Sequence, residues 1–557
     1  GLVSASRPAV VAPRGMVAAA HPLAALAGVR MLLAGGNAVD AAVAVAATLN
    51  VVEPYMSGLA GDGYMLISLA QSGQRIALDY VGRTARAATR NQYSPETMGT
   101  GALAPLVPGN LGGWLHALER YGTMRRSDVF APAIEYAEGG FPLTRINVAF
   151  ITPQIERLNP AARAVFFPGG RAPQFGEVIY QRDLAKTYRQ IVDGGADVLY
   201  RGELGRKIVS FLQEQGGVLT EEDFASFQVA EVPRISATFR GFEVTTLPPP
   251  GAGVQYLETL KLLEGFDLAG MGLGTAQQIH HVAEAIKIAV ADRRDCYVGG
   301  REPPVAAMLD PSYLARRRAE IDPRRTAISG GDRFVGIRLP GEISAGVFPG
   351  SNAEQTTSFS VVDAAGNAVT VTQSLGQGFG SGLMVEGTGV FLNDFSWWLD
   401  LDPASPNCVG PAKKIEMCMA PCQIFREGRL YLTIGTPGGW GIPQTTTQMI
   451  LNVLEFGLDT QEAIDAPRFR CAVQVTEAPG IVTDPAALPP YSGRELLVEG
   501  RIGAEVRAEL ATYGHAVQTL PEWTPAVGGG HGIKVDPDSG ARIGGADPRR
   551  DGVAIGL

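Results

Sequence analysis

The sequence lacks the long apolar runs and the positive charge that mark membrane-spanning and nucleic-acid-binding proteins. Its longest strongly apolar stretch, residues 41 to 52, is too short to cross a bilayer and is flanked by Asp40 and Glu53. The formal net charge is -9 over 557 residues, which disfavours binding to a phosphate backbone or an anionic lipid surface. We therefore predict a buried helix in this stretch and neither a nucleic acid nor a membrane as partner.

Cysteine is also scarce. Five cysteines in a chain of this length form no disulfide framework, and an odd number leaves at least one unpaired within a monomer. The spacing Cys418-x3-Cys422 has no second ligand pair to complete a zinc site. We therefore predict buried thiols at Cys408, Cys418 and Cys422; the other two cysteines are Cys296 and Cys471.

Common catalytic signatures are missing as well. The chain contains no GxxxxGK[ST], HExxH, GxSxG or GxGxxG pattern, which removes the usual marks of P-loop, zincin, α/β-hydrolase and Rossmann chemistry. His280, His281 and Glu284 share a helical segment and have side chains that bind metals, but we interpret them as structural. We assign the same role to three other histidines: His21, His116 and His531. No metal and no cofactor is predicted.

Residues 64 to 80 alternate between apolar and polar side chains on either side of the turn QSGQ, a pattern that predicts a β-hairpin. Residues 105 to 292 are dominated by helical patterns, with Thr220 as one clear N-terminal cap. Residues 300 to 355 are rich in Arg, Pro, Gly and Asp and have little periodicity. That composition is typical of an exposed, partly mobile segment, which tolerates a chain break.

At Thr356 the pattern changes abruptly to strand-like alternation, TTSFSVVD-AAG-NAVTVTQSL. A three-residue turn with Gly366 in the left-handed conformation would pair Asp363 with Asn367. The same register puts Thr356 opposite Ser374 and gives one face of hydroxyl side chains and one apolar core face. Such a row of Ser and Thr is usually only a polar strand surface, so this pattern alone does not predict catalysis.

Blocks along nearly the whole chain, in order, resemble those of the γ-glutamyltranspeptidase family. Each block alone could occur by chance, but the complete set in this order is highly specific for the family. The blocks are HPLAALAGVRMLLAGGNAVDAAVAVAATLNVVEP (21–54), SGLAGDGYML (57–66), VPGNLGGWLHALERYGTM (107–124), LTEEDF (219–224), EAIKIAVADR (284–293), NAEQTTSFSVVDAAGNAVTVTQS (352–374), GTPGG (435–439) and APRFR (466–470).

This resemblance implies an α+β fold, the four-layer αββα sandwich of N-terminal nucleophile hydrolases. It also implies that the precursor cuts itself between Gln355 and Thr356 into a large subunit, 1–355, and a small subunit, 356–557. Thr356 then becomes the N-terminal nucleophile, and its free α-amino group, with a reference pKa of roughly 7.7 to 8.0, serves as the base. Ser374, where the family often has Thr, would orient the Thr356 hydroxyl.

Gly438 and Gly439 match family positions whose backbone N–H groups stabilise the oxyanion of the reaction. Most Pro-Gly-Gly sequences are ordinary turns, and only the surrounding blocks favour the catalytic interpretation here.

The residues that recognise a glutamyl group differ from the family pattern. Where family members carry an Arg and two serines that hold the substrate α-carboxylate, this chain has Val81 and the pair Met417 and Cys418. An Asn that contributes to the substrate pocket in family members is replaced by Gly376. The Asp that pairs with the substrate amino group corresponds to Asp394, in a segment that is shortened.

Two further residues stand near the altered positions in the sequence. Arg83 follows Val81 by two residues and is a candidate replacement for the lost Arg, with a plain surface charge as the equal alternative. Trp440 follows the two glycines and either lines the substrate site or packs in the core.

We therefore expect a self-processing amide hydrolase or acyltransferase whose acyl specificity is not standard γ-glutamyl. The alternatives are a conventional γ-glutamyltransferase or glutathione hydrolase and, from another class, a non-catalytic binding protein on this fold. The expected substrate is a small-molecule amide, and the expected partners are the large and small subunits of one precursor. The sequence is also compatible with a homodimer of such subunit pairs. The compartment stays open between cytoplasmic and periplasmic or secreted.

Overall fold

A computed structural model describes residues 5–296, 304–327, 355–403, 407–471 and 494–557. Within these ranges the chain forms many helices and antiparallel strands. The helices are α1 (Pro22–Leu33), α2 (Ala38–Val52), α3 (Pro95–Gly99), α4 (Asn110–Tyr121), α5 (Arg126–Gly139), α6 (Arg145–Ile151), α7 (Pro160–Phe166), α8 (Arg182–Gly194), α9 (Asp197–Tyr200), α10 (Glu203–Glu214), α11 (Glu221–Ala225), α12 (Gly253–Leu263), α13 (Leu268–Met271), α14 (Ala276–Cys296), α15 (Val305–Met308), α16 (Pro311–Ala319), α17 (Ile442–Leu454), α18 (Thr460–Asp465) and α19 (Ala504–Thr512).

The strands come mostly from the two ends of the chain and from the part that follows residue 355. They are β1 (Val10–Ala12), β2 (Met16–Ala19), β3 (Asp62–Leu69), β4 (Gln74–Asp79), β5 (Phe141–Pro142), β6 (Val178–Ile179), β7 (Ala230–Val232), β8 (Ile235–Phe239), β9 (Phe242–Thr246), β10 (Gln355–Val362), β11 (Ala368–Gly376), β12 (Met384–Val385), β13 (Val390–Phe391), β14 (Cys422–Arg426), β15 (Arg429–Gly435), β16 (Phe469–Cys471), β17 (Glu495–Glu499), β18 (Ala516–Leu520), β19 (His531–Val535), β20 (Arg542–Ala546) and β21 (Val553–Gly556).

Two seven-stranded sheets form the centre of the molecule, in the orders β21-β2-β10-β11-β3-β4-β7 and β1-β20-β19-β15-β14-β9-β8. The sheets pack face to face through β10 with β19 and β11 with β15. Helix α2 covers the outer face of the first sheet, while α12, α17 and α18 cover the second. The described residues thus form the four-layer αββα sandwich expected from the sequence.

The small-residue run forms α2, and all fifteen of its residues are buried. Gly28 of α1 lets the two helices approach closely, because a methyl group there would lie 2.8 Å from Cγ2 of Val45 on α2. The apolar side chains Phe359 and Val361 of β10 are completely buried on this side of the first sheet. The prediction of a buried helix is confirmed. No helix among the described residues is long and apolar enough to cross a membrane.

The hairpin β10–β11 has the predicted turn. The Asp363 N–H donates to Asn367 O at 3.0 Å, and Gly366 has a φ of 86°. The predicted register holds from Thr357, which pairs with Gln373, to the turn. The hydroxyl face is not a solvated surface, however. It lies between the two sheets and is as fully buried as the apolar face.

The four cysteines whose side chains are described are free thiols, and Cys418, Cys422 and Cys471 are buried. Cys408 is only partly buried, so the prediction of a buried thiol is wrong at that position. Most of the segment before Thr356, residues 328–354, lies outside the described residues, and so does the prediction that it is exposed and partly mobile.

Asp40 fixes the start of α2. Its buried carboxylate accepts hydrogen bonds from Asn37 N (2.7 Å), Thr123 N (2.8 Å), Thr123 Oγ1 (2.7 Å) and Met124 N (2.9 Å). The first bond closes a capping box with Asn37. The other three attach α2 to the connection between α4 and α5.

We predict that Asp40→Ala destabilises the fold by at least about 3 kcal/mol, because several buried donors lose a charged acceptor. Thermal melting of the variant measures the effect. Asp183→Ala, which removes a largely exposed carboxylate paired with Lys186, is the control and should change stability by no more than about 0.5 kcal/mol. Equal melting temperatures for the two variants would contradict the anchoring role of Asp40.

Candidate active site

The Ser374 hydroxyl connects the first two residues of β10. Thr356 Oγ1 donates to Ser374 Oγ at 3.2 Å, and Ser374 Oγ donates to the carbonyl oxygen of Gln355 at 2.6 Å. The Gly376 N–H donates to the same Ser374 oxygen at 3.0 Å. One buried hydroxyl therefore holds the Thr356 side chain and the Gln355 carbonyl group together.

The register at this point differs from the predicted one. Thr357 pairs with Gln373 as predicted, but Gln355 pairs with Gly376 instead of Leu375, so an irregularity of the β-bulge type lies between Gln355 and Thr357. Thr356 is not ladder-paired with Ser374 as expected, although their hydroxyl groups meet. A bulge adds one residue to one strand and re-aims its side chains, which explains how Ser374 reaches both Thr356 and Gln355.

Two buried charged side chains contact the same end of β10. Arg550 Nη1 donates to the carbonyl oxygen of Thr356 at 3.2 Å, and Thr357 Oγ1 donates to Glu53 Oε1 at 2.8 Å. Burial raises the pKa of Glu53 to about 7, against the lowering effects of Thr357 and the Arg550 charge. Thr356 is thus held from both sides of its strand.

The hydroxyl face continues at Ser358, which lies 2.5 Å from Nε2 of His531. Ser358 Oγ also donates to Val371 O at 3.0 Å, so the ring must donate its Nε2 proton to the serine. Burial lowers the pKa of His531 to about 3. His531 is therefore a neutral donor to Ser358, in agreement with the structural role predicted for it.

Gly438 and Gly439 lie in the loop that follows β15, with φ values of 128° and 53°. The loop leads into a short 3-10 helix, Gly439–Gly441, and then directly into α17. Thr436 stabilises it, accepting from Gly529 N at 3.1 Å and donating to Pro437 O at 2.8 Å. Free N–H groups at the start of a helix favour a negative charge, and an oxyanion-binding role of this loop stays a prediction.

Gly376 and Asp394 form one wall of the site. A methyl group at Gly376 would lie 1.9 Å from Asp394 Oδ1, and the Gly376 φ is 104°. Oδ1 accepts from Gln377 N at 2.9 Å, while Oδ2, which is 3.7 Å from Arg157 Nη2, has no hydrogen bond to any described group. Burial raises the pKa of Asp394 to about 7. Glycine is needed here to make room for this carboxyl group.

The Asp79 carboxylate lies beside Val81 and has two partners. Val81 N donates to Asp79 Oδ1 at 3.0 Å, and the other oxygen of Asp79 forms an ion pair with Lys414. Asp62, directly opposite Ser374 on β3, is fully buried beside Gly82. Burial raises its pKa well above the usual range, although the Gly82 amide lowers it, and neither oxygen has a well-formed hydrogen bond to a described group.

Met417 and Cys418 are buried beside the turn before α12, where Met417 N donates to Pro250 O at 2.9 Å. The preceding residue, Glu416, forms an ion pair with Arg293, whose guanidinium group lies 4.1 Å from the ring centroid of Trp440. Arg293 therefore contacts both Trp440 and Glu416, the residue before Met417.

Arg83 lines an open cleft of about 480 Å³ together with Val81 and Phe227. Its Nη1 donates to Ala412 O at 3.2 Å. Thr356 is not among the lining residues of this cleft, so a role of Arg83 in substrate binding stays a prediction.

His280 and Glu284 come together with His515, which sequence analysis did not single out. His280 Nδ1 and His515 Nε2 are 2.9 Å apart and share a hydrogen bond. Glu284 Oε1 accepts from Lys287 Nζ at 2.8 Å and from Thr326 Oγ1 at 2.7 Å. Because an ammonium group already neutralises this carboxylate, we keep the structural interpretation of the cluster.

Sequence reasoning missed four polar residues of the site: Glu53, Asp62, Arg157 and Arg550. Each is far from Thr356 in sequence, and none belongs to a local motif with a chemical signature. The only available signal was a charged side chain at the end of an apolar stretch, as at Glu53.

Comparisons with known proteins give the family and the fold. The family model described as gamma-glutamyltranspeptidase matches residues 24–557. A glutathione hydrolase proenzyme of Pseudomonas sp. (strain A14) is 36% identical and covers 84% of this chain and 83% of its own. An acylase ACY 1 proenzyme of Pseudomonas sp. (strain SE83) is 34% identical over 98% of this chain and 94% of its own. The crystal structure of cephalosporin acylase from Bacillus halodurans superposes with a TM-score of 0.86 at 30% identity, covering 100% of this chain and 98% of that one.

We predict that Gly376→Ala displaces the Asp394 carboxyl group and costs about 2 kcal/mol more than Gly73→Ala. Gly73 is the matched control, because its φ is 71° but a methyl group there would meet nothing within 4 Å. Thermal melting of both variants separates the clash from the backbone strain that they share. Equal losses of stability would show that Asp394 moves aside freely.

Proposed function

The chain belongs to the γ-glutamyltranspeptidase family, and from that premise we propose that it is a self-processing amide hydrolase or acyltransferase with Thr356 as its nucleophile. The precursor would cut itself between Gln355 and Thr356 into chains 1–355 and 356–557. The word proenzyme in the names of both curated relatives supports such processing.

The contact of Ser374 with both partners of the cleavage step carries this proposal. The Thr356 hydroxyl is the attacking group, and the Gln355 carbonyl carbon is its target. Ser374 accepts from the first and donates to the second. Donation at 2.6 Å polarises the carbonyl group, and orientation of two reacting groups lowers the barrier further.

The cleavage step is an acyl shift. Thr356 Oγ1 bonds to the carbonyl carbon of Gln355, the C–N bond breaks, and the hydroxyl proton ends on the released Thr356 nitrogen. Water then hydrolyses the ester, which leaves a carboxylate at Gln355 and a free amino group at Thr356. That amino group is the base that a threonine nucleophile requires.

For substrate turnover, Thr356 attacks an amide and forms an acyl-enzyme, which water or an amine then releases. Gly438 and Gly439 would donate to the oxyanion through their backbone N–H groups. Their positive φ values and their position before α17 support this role. No metal or cofactor takes part in the proposed mechanism.

The acyl-binding residues favour a group other than standard γ-glutamyl. Asp62 is a buried carboxyl group beside Gly82, and Lys414 is already paired with Asp79, so neither offers a free positive charge to a substrate carboxylate and Arg83 is left as the candidate cation. Asp394 has one oxygen available for a donor group of the substrate. We assign acyl recognition to Asp394, Gly376 and the Met417–Cys418 segment, with Trp440 and Arg83 as further candidates.

A conventional γ-glutamyltransferase or glutathione hydrolase is the second candidate, favoured by the names of several relatives. In that case Arg83 or another cation would bind the α-carboxylate. A non-catalytic binding protein is the third, and the close contact of Thr356, Ser374 and Gln355 argues against it.

We predict that wild-type protein separates into two chains, the smaller beginning with TTSFSVVD, and that Thr356→Ala stays intact and inactive. The alanine variant lacks the attacking oxygen but keeps the fold. Denaturing mass spectrometry after expression and prolonged incubation is the test. A wild-type chain that remains whole would support the binding-protein alternative.

Ser374→Ala should slow both cleavage and turnover by about 2- to 10-fold, the effect of losing a hydrogen bond of roughly 0.5 to 1.5 kcal/mol. Ser360→Ala is the matched control, because Ser360 lies on the same strand face and donates to Thr370 at 3.3 Å but does not contact Thr356. Time courses of cleavage for the two variants give the comparison. Identical rates would remove Ser374 from the mechanism.

We predict weak hydrolysis of γ-glutamyl-p-nitroanilide and glutathione compared with amides whose acyl group lacks the α-carboxylate. A buried carboxylate without a paired charge or several donors is costly, and a site that lacks them discriminates by orders of magnitude. The measurement is kcat/KM over γ-glutamyl, glutaryl, other aliphatic and aromatic acyl amides. Val81→Arg with Met417→Ser and Cys418→Ser should shift preference toward glutamyl. If γ-glutamyl amides were best in the wild type, the second candidate would be right.

A further inference from the structure

The nucleophile end of β10 has a neighbouring strand on one side only. β11 pairs with β10 along its length, but β2 pairs only with Ser360, Val361 and Val362. Among the described strands, none borders Thr356 or Thr357 on the β2 side. A strand end with one neighbour is prone to fraying, above all once cleavage has made Thr356 a chain terminus.

Glu53 and Arg550 occupy this open side. Glu53 ends α2 and accepts the Thr357 hydroxyl hydrogen at 2.8 Å, and Arg550, from the connection between β20 and β21, donates to the Thr356 carbonyl oxygen at 3.2 Å. Both side chains are buried. The guanidinium carbon of Arg550 also lies 5.4 Å from the ring centroid of Phe150, which fixes its direction.

We propose that Glu53 and Arg550 are positioning residues that hold the Thr356–Thr357 end of β10 and tune the α-amino group that cleavage creates there. The proposal rests on the proposed function, because the amino group is the base only if Thr356 is the nucleophile. Their effect passes through the amino group and the strand end. Neither residue needs to touch the substrate.

The two charges should act on that amino group with opposite signs. The Glu53 carboxylate favours the ammonium form and raises the pKa of the amino group, whereas the Arg550 guanidinium disfavours it and lowers this pKa. The Arg550 charge lowers the pKa of Glu53 and the Asp551 charge raises it, both by less than burial does. Burial also raises the pKa of Tyr55, and the nearby Glu53 charge adds to that rise. On the β11 side lie the neutral Ser374 and, behind it on β3, Asp62.

The test compares Glu53→Gln, Arg550→Met and Thr357→Val with the wild type. After cleavage, kcat and KM are measured against pH with the p-nitroanilide of the acyl panel that the wild type hydrolyses fastest. The acid limb of kcat/KM reports the base of the free enzyme. We expect Glu53→Gln to move this limb to lower pH and Arg550→Met to move it to higher pH, each by at least about half a unit. Thr357→Val removes the hydrogen bond to Glu53 without removing a charge. We therefore expect kcat to fall about 2- to 10-fold, while the acid limb stays at the same pH and KM changes by no more than about twofold.

Arg240→Met is the control for loss of a partly buried arginine, because Arg240 pairs with Glu455 and contacts none of these residues. It should leave both the limb and kcat unchanged. The inference would be overturned if the acid limb did not move in either charge variant, or if it moved in the same direction in both. Normal cleavage of the wild type would in that case still uphold the proposed function. If a charge variant fails to fold, the other charge variant and Thr357→Val decide. A wild type that neither cleaves nor turns over would instead overturn the proposed function itself.

Discussion

The bond between Ser374 and the Gln355 carbonyl group is the constraint on which the rest of the site depends. At 2.6 Å it fixes the target carbonyl, and the same serine oxygen receives the Thr356 hydroxyl at 3.2 Å. A regular strand alternates its side chains and repeats its ladder pairing, whereas here the ladder shifts its register between Gln355 and Thr357, where these contacts are made. The second sheet and α2 bury both faces of the hairpin, so this irregular end keeps one arrangement.

The sequence predicted the local parts of this arrangement well. Alternation and Gly366 predicted the hairpin and its turn, and the small residues predicted α2 as a buried helix. The bulge was not predictable, because no residue near Gln355 signals a change in register. The burial of the hydroxyl face also escaped prediction, since Ser and Thr rows look alike whether water or a second sheet covers them.

Residues brought in by sheet order were beyond sequence reasoning. β10 lies between β11, its neighbour in sequence, and β2, which comes from the start of the chain and pairs in turn with β21 at its end. That order carries Arg550 to Thr356, across 194 positions of sequence separation. Glu53 arrives by a different route, at the end of α2. The strand order of the first sheet and the position of α2 together put these two side chains on one strand end.

The same architecture explains how the catalytic groups can match the family while the acyl pocket differs. Thr356 and Ser374 lie on adjacent central strands, where a change would disturb packing on both faces. Val81, Asp394 and the Met417–Cys418 segment lie in connections beyond the strands, which tolerate substitution far better. Gly376 lies at the boundary, as the last residue of β11, and is limited by Asp394 rather than by the strand. Specificity can therefore change at the loops without altering the bonds around Ser374, so agreement in the nucleophile does not identify the acyl group.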